Sequence, residues 1–291
     1  MFNIIEKRNI FFIISAVIIL AGIVSFFVQG FNTDIDFKGG TEITINLGKD
    51  GFNDKAIRKS IEGVKGVEIA SVQKAEATGT KQAIVIVNYL DDTQTKDVKA
   101  AVEKDLNGAK VSSMTNISPK IGAELWQSAL TSIAIVAILM LIYITFRFEV
   151  LSGVSAVIAL LHDMLVMISF YTIFRIPVNT SFIAAILTIL GYSINATIVI
   201  FDRIRENTRF AKKVPFADIV NKSIWQTIAR SINTSLTTLF TLVVLYIIGV
   251  PSIKEFALPL IIGVVCGTYS SVFLAGQFWV LFKGDKKGAK A

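Results

Sequence analysis

One histidine and one aspartate stand side by side, His162 and Asp163, inside an apolar run at residues 150–174. If that run is a helix crossing a membrane, a rise of 1.5 Å per residue puts the pair ~18–20 Å deep, near the midplane. Even on a lenient insertion scale an aspartate there costs ~2.5–3.5 kcal/mol, so it must face protein or a water path. Carrying protons or ions is the chemistry such a group offers, and a buried interhelical hydrogen bond is the competing reading. The run at 180–201 adds Tyr192, Ser193, Asn195 and Thr197. Arg230, Ser231, Asn233, Thr234, Ser235, Thr237 and Thr238 open the next one. Polar rows on three helices read as an ion route with Asp163, His162, Asn195 and Arg230 as candidates, or as neutral glue between helices.

Other chemistries find no support. One cysteine, Cys266, allows neither an intrachain disulfide nor a Cys-based metal site, and a single histidine does not make a zinc cluster. The phosphate-binding pattern G-x-x-x-x-G-K-[ST] is absent, so ATP hydrolysis is not expected. Gly191-Tyr192-Ser193-Ile194-Asn195 lacks the second glycine of a hydrolase elbow and sits in mid-membrane. Asp34-x-Asp36-x-x-Gly39 has the look of a calcium loop without its downstream bidentate glutamate. The expectation is a chain with no catalytic residue, no metal and no cofactor.

The elements that must position these residues are membrane spans. Hydrophobic residues make up 53% of the 291 and charged ones 18%, against ~25% charged in soluble domains. Residues 10–28 carry no charge and nearly reach the ~20 needed to cross the hydrocarbon. Lys7 and Arg8 before this run would suit a signal peptide, but Ser25-Phe26-Phe27-Val28-Gln29-Gly30 lacks a small-residue cleavage pattern, so a retained anchor is expected. Further runs at 125–146, 150–174, 180–201, 232–250 and 256–282 make six spans, with a polar loop after the fourth. That loop holds Arg203, Arg205, Arg209, Lys212, Lys213, Lys222 and Arg230, and the C-terminus adds Lys283, Lys286, Lys287 and Lys290. The Lys/Arg asymmetry places both termini and this loop in the cytoplasm. The net charge of +7 then reports topology and contact with anionic membrane lipid, and no nucleic-acid site is expected.

Thirteen Lys/Arg and thirteen Asp/Glu fall in residues 31–123, a polar block on the outer side. Residues 41–47 alternate as a strand, with Ile43, Ile45 and Leu47 facing one way. Asn53-Asp54 caps a helix carrying Ile57 and Ile61, residues 67–74 alternate again, and Gly79 breaks the chain. Residues 82–90, 93–106 and 110–117 read as strand, amphipathic helix and strand. The order β-α-β-β-α-β predicts an α+β ferredoxin-like domain with both helices on one sheet face, the other face being a docking surface or solvated. In the last span Gly263, Gly267, Ser271 and Ala275 recur every fourth residue, a helix-packing stripe directed within the chain or toward a partner subunit.

Gly191-Tyr192-Ser193-Ile194-Asn195, leading through Thr197 to Phe201-Asp202-Arg203-Ile204-Arg205-Glu206-Asn207, resembles the hallmark of SecF-type members of the SecD/SecF family, in the RND superfamily. Asp34-Ile35-Asp36-Phe37-Lys38-Gly39-Gly40-Thr41 is similar to that family's motif after the first span, and Leu161-His162-Asp163 to its third-span motif. The resemblance covers the whole chain. It implies a multi-pass bacterial cytoplasmic membrane protein that serves as accessory subunit of the Sec protein-export machinery. Its partners would be SecD, the SecYEG-type Sec channel and a translocating preprotein, and a proton or sodium gradient would assist late translocation. It also implies that Asp202 to Asn207 cap the fourth span at the cytoplasmic face, and that Arg230 matches the fifth-span arginine of the proton path. The family normally has Asp directly after Asn195, and Ala196 stands there instead. Coupling would then rest on SecD, with Asp163 as a secondary candidate. An RND-type exporter subunit and a non-conducting scaffold of the Sec complex are the alternatives. The expected divisions are 1–30 (terminus and first span), 31–123 (outside domain), 124–282 (spans two to six) and 283–291 (basic tail).

Overall fold

The computed structural model describes residues 3–47, 51–77, 80–106, 108–147, 149–211 and 214–284. The expected break at Gly79, Lys212, Lys213 and the lysines after 284 lie outside the described residues.

Helix α1 (Arg8–Gln29) is the first apolar run and ends at Gly30, whose φ of 64° continues no helix. It exposes Ile13, Val17, Leu20, Val24 and Phe27 and buries only Ser15 and Gly22, the pattern of a helix clad mainly in lipid. At Gly22 a Cβ would overlap Ser169, so glycine lets α1 reach its neighbour backbone to side chain.

The polar block between the first two spans follows as α2 (Ile35–Lys38), β1 (Gly40–Asn46), α3 (Asp54–Glu62), β2 (Ile69–Ala77), β3 (Thr80–Val87), α4 (Asp92–Asp105) and β4 (Lys110–Ile117). The strands form one antiparallel sheet of order β2-β3-β1-β4, with Ile43 opposite Val85 on one side and Met114 on the other. Period-two alternation sends Ile43, Ile45, Val85 and Val87 to one face, where they meet Ile57 and Ile61 of α3 and Val98 and Val102 of α4. This core is separate from that of the helix bundle. Asn53 caps α3 through the Ala56 N–H, and Asp91 with Gln94 forms a capping box on α4. The other sheet face is partly roofed. Ser71, Gln73 and Ile86 line a cleft of about 370 Å³ with Asp34, Lys38 and Pro177.

The remaining helices are α5 (Pro119–Arg147), α6 (Val150–Ile173), α7 (Thr180–Phe210), α8 (Phe216–Ile248) and α9 (Pro251–Ser270). A π-helical turn (Ser271–Ala275) joins α9 to α10 (Gly276–Lys283), and together these make the sixth span. Six helical segments among the described residues are long and apolar enough to cross a membrane, so the chain is a polytopic helical membrane protein.

Two expectations change. The polar loop after the fourth span is mostly helix: α7 runs on to Phe210, and α8 begins at Phe216, well before the expected 232. These extensions are amphipathic. Phe201 and Ile204 pack inward with Val220 and Ile224, while Glu206, Arg209, Asp218, Lys222 and Arg230 are exposed. The sixth span is interrupted by the π turn, which its uniform apolarity did not announce.

Candidate ion-path network in the helix bundle

Asp163 and His162 sit halfway along α6, 1% and 8% exposed. The Asp163 carboxylate accepts from Ser193 Oγ of α7 at 2.5 Å and from Ser270 Oγ of α9 at 2.8 Å, both at Oδ2. Its Oδ1 lies 3.1 Å from His162 Nδ1. His162 Nε2 in turn lies 2.9 Å from Ser15 Oγ of α1. Ser15 donates to Tyr269 Oη at 3.4 Å, and Tyr269 donates to the Phe11 carbonyl at 2.8 Å. Three helices therefore meet at the carboxylate, and α1 joins the pair through His162. The π turn starts at the residue after Ser270, and Ser271 Oγ contacts Thr197 Oγ1 at 3.0 Å and the Ser193 carbonyl at 3.3 Å. A widened turn is a common device for re-aiming side chains at a functional site.

A second polar chain runs from Tyr192 Oη to Ser235 Oγ at 3.1 Å and from Ser235 to Thr268 Oγ1 at 2.6 Å, joining α7, α8 and α9. Asn195 and Arg230 enter neither chain. Both are exposed, and among the described residues neither side chain has a hydrogen-bond or ion-pair partner. Arg230 lies five residues before Ser235 on α8, and among the described residues no hydrogen bond or ion pair joins it to His162 or Asp163. The expected route through four residues is thus two places: a buried network at His162 and Asp163, and an open face bearing Asn195, Ala196 and Arg230. Ser15, Tyr269 and Ser270 escaped the sequence reading. Their signal was hydroxyls in otherwise apolar runs, which gave no indication that they met.

The Asp34 to Gly40 motif is a joint between the sheet and the helix bundle. Asp34 caps α2 by accepting from the Ile35 N–H at 2.7 Å. Asp36 accepts from both the N–H and the hydroxyl of Thr180, at 2.8 and 2.6 Å, at the start of α7. A carboxylate at a helix N-terminus is stabilised by the unpaired N–H groups there. The Asp34 N–H donates to the Val178 carbonyl and the Val178 N–H to the Asn32 carbonyl, a short parallel bridge to the α6–α7 connection. Gly39 has φ +78°, and a Cβ there would stand 2.7 Å from the Pro119 nitrogen, so only glycine lets the chain cross the start of α5. Gly40, φ +145°, is equally confined between Ile35 and the Val87 carbonyl. Burial raises the Asp34 carboxyl above its ordinary value, with the Ile35 N–H opposing. Glu42 is raised too, by burial and then by the charges of Asp34 and Asp36.

At the opposite end the Asp202 to Asn207 motif fastens α7 to α8. Arg203 pairs with Glu206 at 2.6 Å and donates to Gln226 Oε1 at 2.7 Å; Asn207 Nδ2 donates to Ser223 and Gln226, both at 2.8 Å. Arg205 reaches Asp202 at 3.7 Å. The start of the chain joins this end, because the Ile4 N–H donates to Asn221 Oδ1 and Gln277 Nε2 donates to the Ile4 carbonyl. Basic residues at the start of α1 and the ends of α7 and α10 thus share one end of the bundle.

The small-residue stripe packs within the chain. A Cβ at Gly263 would overlap Ile189, and one at Gly267 would stand 3.0 Å from Ser193 Cβ. Ser271 meets Thr197, so positions four apart on α9 and its π turn face Ile189, Ser193 and Thr197, also four apart on α7. Gly191, by contrast, has open space where its Cβ would be.

Residues 97–285 match the family model described as protein export membrane protein SecD/SecF, C-terminal. The protein translocase subunit SecF of Sebaldella termitidis is 38% identical over 289 residues, covering 98% of this chain and 93% of that protein. The subunit SecDF of Bacillus subtilis is also 38% identical, over 96% of this chain but only 38% of its own length. A crystal structure of SecDF from Thermus thermophilus, a translocon-associated membrane protein, superposes with a TM-score of 0.86 at 30% identity. The match covers 97% of this chain, which spans about two fifths of the solved one. A second SecDF structure, in a super-membrane-facing form, gives 0.68 over the same share of this chain.

Proposed function

We propose a function from one premise: the chain belongs to the SecD/SecF family of protein export membrane proteins. It is a Sec translocase accessory subunit, and we infer that it works with SecD beside the SecYEG-type channel on preproteins late in translocation. Curated relatives named SecDF, of which this chain matches about two fifths, support the pairing with SecD. The observation that carries it is the open face of α7 and α8. Gly191, Asn195 and Arg230 are unmet by this chain, and exposed arginine and asparagine are costly against lipid, so a polar partner helix fits there.

The outer domain is read as ferredoxin-like, supported by its β-α-β-β-α-β order and the strand order β2-β3-β1-β4. The divisions 1–30, 31–123, 124–282 and 283–291 are proposed as domain limits. The clustering of Lys7, Arg8, Arg203, Arg205 and Lys283 at one end supports cytoplasmic termini. The role is non-enzymatic and uses an ion gradient, with Asp163 and His162 as this subunit's ion-handling groups and Arg230 turned toward SecD. The scaffold reading keeps one specific support, Ala196, which leaves the α7 face without a titratable group at that position.

The test is preprotein translocation into vesicles holding this chain, SecD and the Sec channel. A gradient should stimulate translocation with wild type and fail to do so with Asp163→Asn. Absence of stimulation with wild type, appearing only in Ala196→Asp, would sink the coupled reading in favour of the scaffold.

A further inference from the structure

Two clefts adjoin between the sheet and the helix bundle. The cleft of about 370 Å³ on the open sheet face and a second of about 190 Å³ share Asp34, Gln73 and Pro177, so they form one trough. Tyr171 of α6, Tyr246 of α8, and Glu255 and Leu258 of α9 bound the second cleft. Three polar side chains of this trough are unmet. Tyr171 is 3% exposed, yet among the described residues its hydroxyl has no hydrogen-bond partner. Ser71 lines the first cleft, and its buried Oγ has no partner either. Gln73, common to both clefts, has no side-chain hydrogen bond among the described residues, and its amide offers a donor and an acceptor.

The trough is also short of positive charge. Asp34, Glu68 and Glu255 line it against Lys38 and Lys254, and Asp36 and Glu42 act on Asp34 from behind. Among the described residues none of these carboxylates is ion-paired. A carboxylate partly withdrawn from water is stabilised in its charged form by a nearby cation. A metal ion fits poorly, because among the described residues no three His, Cys, Asp or Glu side chains are grouped to hold one.

We infer that this trough binds an extended, unfolded stretch of polypeptide and seats one of its lysine or arginine side chains beside Asp34 and Glu255. A lysine stem lies along Ile176, Pro177 and Leu258, and its ammonium donates to the two carboxylates and to Tyr171 Oη. Gln73 and Ser71 meet peptide groups where the chain continues into the first cleft. The inference rests on the reading that this subunit acts on preproteins, and it names where this chain would touch one.

The test uses the full chain in phosphatidylcholine nanodiscs, without SecD, channel or gradient. Labelled Gly-Ser peptides bearing lysine, glutamate or neither are titrated by fluorescence anisotropy, with empty nanodiscs as blank. The lysine peptide should bind best. The chain's net charge of +7 would by itself favour the glutamate peptide, so that order reports the trough. Glu255→Gln keeps an acceptor for Asn179 Nδ2, now 2.9 Å away, and should weaken the lysine peptide about tenfold. Tyr171→Phe, which keeps the ring, should weaken it too. No preference for lysine, equal binding by both variants, or displacement of the peptide by calcium at constant ionic strength overturns the inference. Gradient-stimulated translocation that persists beside such a result would leave the Sec reading standing and remove the trough alone.

Discussion

Asp163 shows how much a membrane-buried carboxylate depends on its neighbours. Two serine hydroxyls from different helices converge on one of its oxygens, and hydrogen bonds to a charged group contribute ~1.5–3 kcal/mol each. Ser193→Ala should therefore lower the stability of the detergent-solubilised chain by about that amount, measured as a fall in thermal midpoint. Glu42 behaves differently. Burial, reinforced by Asp34 and Asp36, raises its carboxyl above the ordinary 4.5, so the native state holds the proton more tightly than the unfolded chain does. This group favours the fold in acid and costs stability as the pH rises through its native pKa. Glu42→Gln is expected to raise the thermal midpoint at neutral pH, with the gain vanishing below the ordinary carboxylate value. A gain that is the same in acid and at neutrality would refute the assignment.

Between elements, glycine positions separate internal packing from partner contact. Gly263 lies against the branched Ile189 and Gly267 against Ser193, so added atoms at either must push α7 and α9 apart. Overpacking of this kind costs ~1–3 kcal/mol. Gly263→Ala and Gly267→Leu should both destabilise the isolated chain in a detergent melt. Gly191→Ala should be neutral or gain up to about 1 kcal/mol from helix propensity, since nothing of this chain fills that space. If SecD packs there, the same alanine should weaken SecD retention on co-purification while leaving the melt untouched. Equal retention would move the partner to another face.

At the scale of the molecule the described residues form two hydrophobic cores, one between the sheet and its two helices and one in the bundle. Their joint is Asp34, Asp36 and the two glycines that follow, fastened to Val178, Thr180 and Pro119. Because the sheet core closes on α3 and α4 without bundle residues, a 31–123 fragment should fold alone, with mixed helix and strand by circular dichroism. A helical or unfolded spectrum would show that the bundle is needed to hold the sheet. Asp36→Ala in the full chain should leave the sheet intact while raising hydrogen exchange at the start of α7, where the Thr180 N–H loses its acceptor.

Periodicity and charge carried much of the architecture in the sequence itself. Alternation at Ile43 and Ile45 and helical spacing at Ile57 and Ile61 named the strands and helices between the first two spans, because burial on one face imposes a period on each. Apolar runs of about 20 residues named six spans, because only helices of that length satisfy the backbone across hydrocarbon. Asp163 was visible as a site because a carboxylate in such a run must be compensated. What compensates it was not visible. Ser15, Ser193 and Ser270 are ordinary hydroxyls in their own helices, and only packing brings Ser193 and Ser270 onto the carboxylate and Ser15 onto the histidine beside it. The same holds for Asn195 and Arg230, which look like members of the seam until helix rotation turns them outward. Composition sets which faces avoid lipid; the rotation of each helix about its axis, fixed by where Gly22, Gly263 and Gly267 permit close approach, decides which polar groups meet.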